Sequence, residues 1–343
     1  MRIGIACDQF VEELRGIVLS NPDCEVLWVA GTGLDAVKKC ATDIPDVLLF
    51  NPDISRMNGI EAIRQIMHET PCPILLVTDT VRGNTATIFE AMGCGALDVV
   101  SLNVHDFAQR EPNRMAILKK MTTICKLSRF SLSNTWHDPS SKVLQHDGVP
   151  PLVVIGASAG GPKTLSKILA RLPSTFDAVM IIVQHVDQGF SIRLAEWLDT
   201  QTPLRVKLAG AGERLKPGNV YLAGRNDHLM LTSRLTFSYT PEPRDTPYRP
   251  SVDVLFKSVA KRWPGTQGKA ILLTGMGRDG AEGLAVLRKA GWHTIAQDQA
   301  TSIVYGMPKA AKELGAATEV LALEQIIATL LAMPKAAATK NNE

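Results

Sequence analysis

The stretch LVVIGASAGGP, Leu152 to Pro162, limits what this chain can fold into more than any other. Four apolar residues, Leu152 to Ile155, read as a short buried strand. Gly156, Ala157, Ser158, Ala159, Gly160 and Gly161 follow as a tight turn with one hydroxyl at its apex. Lys163, Thr164, Leu165 and Leu169 then carry a helical pattern away. A buried strand feeding a helix through a glycine-rich turn belongs to a parallel α/β sheet. The glycines let the backbone turn steeply and leave the hydroxyl approachable. The helix start adds N–H groups that favour negative charge. Alone, the turn suits a nucleophile, a phosphate cradle or simple packing.

Two further polar groups follow buried strands in the same half of the chain. AVMIIV at Ala178–Val183 is followed by Gln184 and His185, and Ala270–Leu273 runs into TGMGRDG, which holds Asp279. In a parallel sheet the C-terminal strand ends share one edge, where ligands gather. A hydroxyl, an imidazole and a carboxylate on that edge can relay a proton: the imidazole takes it from serine and the carboxylate fixes the tautomer. His228, in GRNDH, is a rival base set in a β-like turn context. His293 follows a helix and suits packing or exposure. Asp187, Asp253 and Asp298 compete with Asp279, and Asp298 also follows a strand. Glycines flank Asp279 at Gly277 and Gly280, which suits a tight turn; the residue could equally cap the helix AEGLAVLRKA. The order Ser, His, Asp disfavours an α/β-hydrolase, and Ser158 stands where a dinucleotide fingerprint needs glycine.

The 343 residues suffice for two domains, each with its own core. A net charge of +3 gives no reason to expect a nucleic-acid partner, and no apolar run has the length of a membrane span. The six cysteines all lie in the first 125 residues without a CxxC pair, which argues against a zinc site or a disulfide scaffold. Free thiols and a first segment, MRIGIACDQF, too short for a secretory signal lead to the expectation of a cytoplasmic protein without cofactor or metal.

Residues 1–104 alternate strand and helix patterns as five βα units, which predicts a second doubly wound parallel sheet. A basic amphipathic helix is expected around Met115–Leu127. SRFSLSNTWHDPSSKVLQHDGVPP, from Ser128 to Pro151, lacks periodicity and reads as a linker in which His137 and His146 are solvated. Residues 204–243 suggest short β pieces, Ser251 caps a helix over SVDVLFKSVAKRW, and a terminal helix is expected over 320–333. The domain expectation is 1–126, a linker at 127–149, a second domain at 150–333 and a tail at 334–343.

The first segment resembles a response-regulator receiver domain, a flavodoxin-like fold, through PDVLLFNPDISRMNGIEAIRQIM, LLVTD and EAMGCGALDVV. In that family an acidic pair follows the first strand, an aspartate ends the third and a lysine follows the fifth. Those positions hold Cys7 and Asp8, Asn51 and Leu102, while Thr78 keeps the switch threonine. The resemblance therefore implies a degenerate phosphoacceptor site at Asn51, Asp8 and Thr78. An amide forms no acyl phosphate, a missing acid weakens a Mg²⁺ site, and the lost lysine removes a phosphate clamp. Asp53 is a nearby carboxylate, two residues out of register with the turn at Asn58 and Gly59.

Residues 150 to about 333 resemble the catalytic domain of chemotaxis protein-glutamate methylesterases, the CheB type. VVIGASAGGP, IIVQHV, RPSVDVLF, LLTGMGRDGAEGL and YGMPKAA carry the resemblance. It implies a Rossmann-like catalytic domain and a triad of Ser158, His185 and Asp279. Oxyanion support falls on the N–H groups near Ala159 and Met276, and Ala159 lacks the hydroxyl found at that position in some members. The implied activity is removal of methyl esters from glutamyl residues of methyl-accepting chemoreceptors, with glutamine deamidation as a second activity. A histidine kinase or adaptor is the implied regulatory partner. In the family the receiver covers the catalytic face until phosphorylation loosens it, and Asn51 removes that switch. MRIGIACDQF and EAMGCGALDVV are similar to Wsp-type members, which leaves flagellar chemotaxis and surface sensing both open. The other functional class is a regulatory scaffold that binds receptor or kinase through the pseudo-receiver.

Overall fold

The structure, a computed structural model, describes residues 1–55, 59–79, 85–102, 110–129, 150–265 and 268–333. Asn58, most of the expected linker with His137 and His146, and the expected tail lie outside the described residues. The chain divides into two compact units, Met1–Ser131 and Leu132–Glu343.

In the first unit the elements run β1 (Arg2–Ala6), α1 (Val11–Leu19), β2 (Glu25–Ala30), α2 (Gly33–Thr42), β3 (Val47–Phe50) and α3 (Gly59–Glu69). Then come β4 (Ile74–Thr78), α4 (Thr85–Gly93), β5 (Asp98–Ser101) and α5 (Arg110–Arg129). The sheet is parallel in the order β2-β1-β3-β4-β5, one of the two common doubly wound orders. The apolar runs VLLF and ILLVT form the central strands β3 and β4, buried throughout as a sheet covered on both faces requires. The Thr32 hydroxyl accepts the Asp35 N–H and starts α2 where the sequence turns from strand to helix period. Helix α5 begins earlier than expected, with Pro112 in its first turn where a missing N–H costs nothing, and runs to Arg129, past position 126, with no glycine or proline after Pro112.

The second unit opens with β6 (Leu152–Ala157), α6 (Gly161–Leu169), β7 (Val179–Gln184) and α7 (Gln188–Asp199). Four short strands follow: β8 (Arg205–Leu208), β9 (Asn219–Leu222), β10 (His228–Leu231) and β11 (Phe237–Thr240). The rest is α8 (Val252–Arg262), β12 (Lys269–Leu272), α9 (Ala281–Lys289), β13 (His293–Gln297), α10 (Met307–Glu313), β14 (Glu319–Leu321) and α11 (Leu323–Leu331). Seven strands make one parallel sheet in the order β14-β13-β12-β6-β7-β9-β8, and β10 and β11 form an antiparallel hairpin. The core on one face of the sheet packs Val154, Ile181, Tyr221, Leu255, Phe256 and Leu284.

The order reverses between β6 and β12, so the chain leaves those neighbouring strands in opposite directions. A crevice opens at such a point at the carboxyl ends of the strands. The single terminal helix expected over 320–333 is instead β14 followed by α11. Glu319, Val320 and Leu321 pair with Ile295, Ala296 and Gln297, and a three-residue edge strand is too short for its period to show in sequence.

Candidate active site

Strand β6 delivers Ser158 to the crevice. The Gly161 N–H donates to the Ser158 carbonyl at 2.7 Å and closes a four-residue turn. Gly160, its third residue, has φ 77° and ψ −8°, the third-position geometry of a type II turn that favours glycine. The Ser158 N–H donates to the Thr274 carbonyl at 3.0 Å, and the Thr274 hydroxyl donates to the Ala159 carbonyl at 2.9 Å. The Ser158 turn is thus tied to the end of β12. Ser158 is 5% exposed.

Strand β7 is the direct neighbour of β6, with Ala157 opposite Gln184. His185 therefore follows β7 at the level where Ser158 follows β6, and its N–H donates to the Ala157 carbonyl at 3.1 Å. Gln184 is fully buried, and its Nε2 donates to the carbonyls of Ser158 (3.0 Å) and His185 (3.2 Å). One side chain clamps the two turns together.

Asp279 follows β12 and reaches His185, with Oδ2 at 2.8 Å from Nε2. It does not cap the helix that follows it, because the N-cap of α9 is Gly280. Its carboxylate crosses to the start of α8. It accepts the Ser251 hydroxyl on Oδ1 (2.7 Å), the Val252 N–H on Oδ2 (2.7 Å) and the Asp253 N–H on Oδ1 (3.1 Å). The approach of α8 depends on Gly156, where a Cβ would stand 2.3 Å from Val252 Cγ1. Burial works against ionisation of Asp279. The bond and charge of His185, the Ser251 hydroxyl and the Val252 N–H outweigh it and hold the carboxyl below its ordinary range.

An ionised carboxylate only accepts, so the bond to Asp279 puts the proton of a neutral His185 ring on Nε2. Nδ1 is then the basic nitrogen. It is buried and has no hydrogen-bond partner among the described residues. A base lone pair held at the level of a serine hydroxyl, with an anion behind it, is an arrangement suited to activating a nucleophile.

The sequence pattern of the CheB methylesterase family matches residues 153–330, and that of the response regulator receiver domain matches residues 8–106. The protein-glutamate methylesterase/protein-glutamine glutaminase 2 of Burkholderia pseudomallei (strain K96243) is 46% identical over 338 residues, 97% of either chain. The chain belongs to the CheB methylesterase family. The protein-glutamate methylesterase/protein-glutamine glutaminase 1 of Burkholderia lata is 47% identical over 98% of this chain and 100% of its own. The crystal structure of the Thermotoga maritima CheB methylesterase catalytic domain is 38% identical and aligns with a TM-score of 0.52 over 53% of this chain and 98% of its own. The family membership makes the chain a carboxylic ester hydrolase with a receiver domain.

Within this CheB-type architecture four of the five rival residues have other tasks. Asp298 binds the N–H and hydroxyl of Thr301 in its own loop. His293 starts β13, at the far end of the sheet, between Lys269 and Glu319. His228 accepts the Ser251 N–H on Nδ1 at 3.0 Å. Asp253 accepts the Gly283 N–H at 2.6 Å, and burial, then the charge of Asp279, pushes its carboxyl up to about 7. Ser251 was legible as a helix cap, but its hydroxyl also serves Asp279. Sequence reasoning missed Tyr248, whose ring stacks on His185, and the clamp made by Gln184. The only sequence signal for the second was an amide beside a strand-end histidine.

At the matching edge of the receiver unit, Asn51 Oδ1 accepts the Asp53 N–H at 3.0 Å and Asp8 Oδ2 accepts the Ser55 N–H at 3.1 Å. Both polar side chains shape the loop after β3. Cys7 is fully buried, and burial pushes its thiol up, so it stays neutral where the family has an acid. Leu102 is buried where the family has a lysine, and Thr78 is buried at the end of β4. The carboxyl of Asp53 is raised by burial and then by the charge of Asp79. The residues present do not fit the Mg²⁺ of receiver domains, and no group of three or more His, Cys, Asp or Glu among the described residues could hold a metal ion. No helix among them is long and apolar enough to cross a membrane.

Proposed function

We propose that this chain hydrolyses the methyl esters of glutamyl residues on the cytoplasmic helices of a methyl-accepting chemoreceptor, with Ser158, His185 and Asp279 as its triad. The observation that carries the reading is His185 bonded through Nε2 to the ionised Asp279, with an Nδ1 that has no partner among the described residues and a backbone N–H tied to Ala157, the residue before Ser158. Ser158 Oγ attacks the ester carbonyl as Nδ1 takes its proton. The N–H groups of Ala159 and Met276 bind the oxyanion. Collapse of the tetrahedral intermediate breaks the C–O bond, and the Nδ1 proton leaves with methoxide as methanol. Water, deprotonated by the same nitrogen, then hydrolyses the acyl-enzyme. A glutamine side chain enters the same cycle with ammonia as leaving group, in keeping with the double name of the relatives.

The receiver unit, taken here as residues 1–126, acts as a regulatory module that a histidine kinase or adaptor addresses by binding rather than by phosphotransfer. Asn51 supports that reading, because an amide forms no acyl phosphate. The test is methanol release from methylated receptor membranes. Ser158→Ala is expected to lose on the order of 10⁴-fold or more in turnover. A Ser158→Ala protein that still releases methanol at the normal rate would sink the assignment.

A further inference from the structure

The ring of Tyr248 lies on the His185 imidazole with centroids 4.0 Å apart and planes 8° apart. Its hydroxyl donates a long bond, 3.4 Å, to the Met276 carbonyl. Tyr248 is carried by the segment between β11 and α8, which has no regular structure of its own and owes its course to a buried histidine. His228 is fully buried. Its Nδ1 accepts the Ser251 N–H, so its proton is on Nε2, which faces the Pro243 carbonyl at 3.0 Å and the Thr246 hydroxyl at 3.2 Å. The Arg249 guanidinium adds a bond to the Arg244 carbonyl at 2.7 Å. The strap is therefore fastened near Pro243 and again at Ser251, with Tyr248 between the fastenings.

The bond from Asp279 fixes one atom of the His185 ring and leaves the ring free to tilt about it. A proton acceptor must hold its lone pair on one line, and an error of about 1 Å can cost about 100-fold in rate. A near-parallel aromatic face supplies the missing constraint. The same electron-rich face also favours the imidazolium that forms when Nδ1 takes the proton, an interaction stronger in the transition state than before it.

We propose that Tyr248 is a positioning residue: its ring, held by the His228 strap, fixes the plane of His185 so that Nε2 stays on Asp279 and Nδ1 stays presented for the proton of Ser158. The proposal rests on the triad reading above, and its test separates the two. In the full-length chain, Tyr248→Leu is expected to lower kcat for methanol release about 10- to 100-fold with little change in KM. Tyr248→Phe, which keeps the face and loses only the hydroxyl, is expected to stay within about fivefold of the parent. The second readout needs no substrate: the ¹⁵N spectrum of the His185 ring shows a single Nε2–H tautomer in the parent and in Tyr248→Phe, and a mixture in Tyr248→Leu. Tyr248→Leu with parental kcat and a single tautomer overturns the proposal. So does an equal loss in the Leu and Phe variants, or a loss confined to KM or thermal stability. If Ser158→Ala remains active, the triad reading fails, and the tautomer comparison still decides whether Tyr248 orients His185.

Discussion

The two units are built to one plan and differ in what they place at the same edge. Each is a doubly wound parallel sheet whose polar candidates stand at the carboxyl ends of strands. In the second unit Asp279 is an anion bonded to an imidazole and fed by a hydroxyl and two backbone N–H groups. In the first, the corresponding positions hold a buried thiol, an amide and a buried leucine, and the amide is occupied in its own loop. The plan brings side chains together, but chemistry at the edge needs charge held there against desolvation. Asp279 stays ionised because four donors surround it. In the receiver unit, Asp8 is the acid kept from the family's acidic pair.

The contrast breaks most sharply by exchanging acid and amide in each unit. Asp279→Asn keeps the shape of the site but removes the anion that holds Nε2–H, and turnover is expected to fall on the order of 10⁴-fold. Asn51→Asp restores the carboxylate of the receiver site without the missing acid at Cys7 or the lysine at Leu102. It is expected to leave methanol release unchanged, with or without acetyl phosphate. Activation of the parent chain by acetyl phosphate would show that the receiver edge has kept its chemistry, and the comparison would fail. Deleting residues 1–145 is the next largest effect: turnover is expected to rise, read as the methanol-release rate per mole of enzyme. A deletion that leaves the rate unchanged removes the regulatory reading of the first unit.

Much of this contrast is legible in the sequence, for a physical reason. The helices Val11–Leu19, Gly33–Thr42 and Gly59–Glu69 stand where the apolar period places them, since short loops and short strands leave little freedom between them. The pairing of His185 with Asp279, and the placing of Ser158 at the same strand-end level as His185, were legible because all three follow buried strands, and parallel strands end on one side. What stayed hidden came from contacts between segments distant in sequence. Tyr248 lies in a strap without periodicity, and His228 looked like a rival base because nothing in GRNDH shows that its nitrogens face Ser251 and Pro243. The service of Asp279 to α8 rather than α9 depends on the absence of a side chain at Gly156, a three-dimensional fact. The strand Glu319–Leu321 was hidden by its shortness alone.

The smallest expected effect concerns the cost of holding charge at the edge where Asp279 meets His185. Asp253 lies at the start of α8, where its own N–H bonds the Asp279 carboxylate, and burial together with that neighbouring charge raises its carboxyl to about 7, against a partial offset from the Gly283 N–H and Lys257. The folded state therefore keeps a proton that the unfolded chain releases near pH 4. Its contribution to stability is fully present below about pH 4 and is lost as pH rises through about 7. Asp253→Asn mimics the protonated form and still offers an oxygen to Gly283. It is expected to match the parent at pH 4 and to exceed it at pH 8 by on the order of 4 kcal/mol. Thermal melts of both proteins across that range measure the difference, and parallel pH slopes would contradict it. Asp279 has the opposite sign: its depressed carboxyl stabilises the fold above about pH 4, and that contribution fades only as pH falls through the folded value. Two carboxylates at one helix start, one pushed up and one held down, leave a single anion there below about pH 7, and that anion is the one bonded to His185.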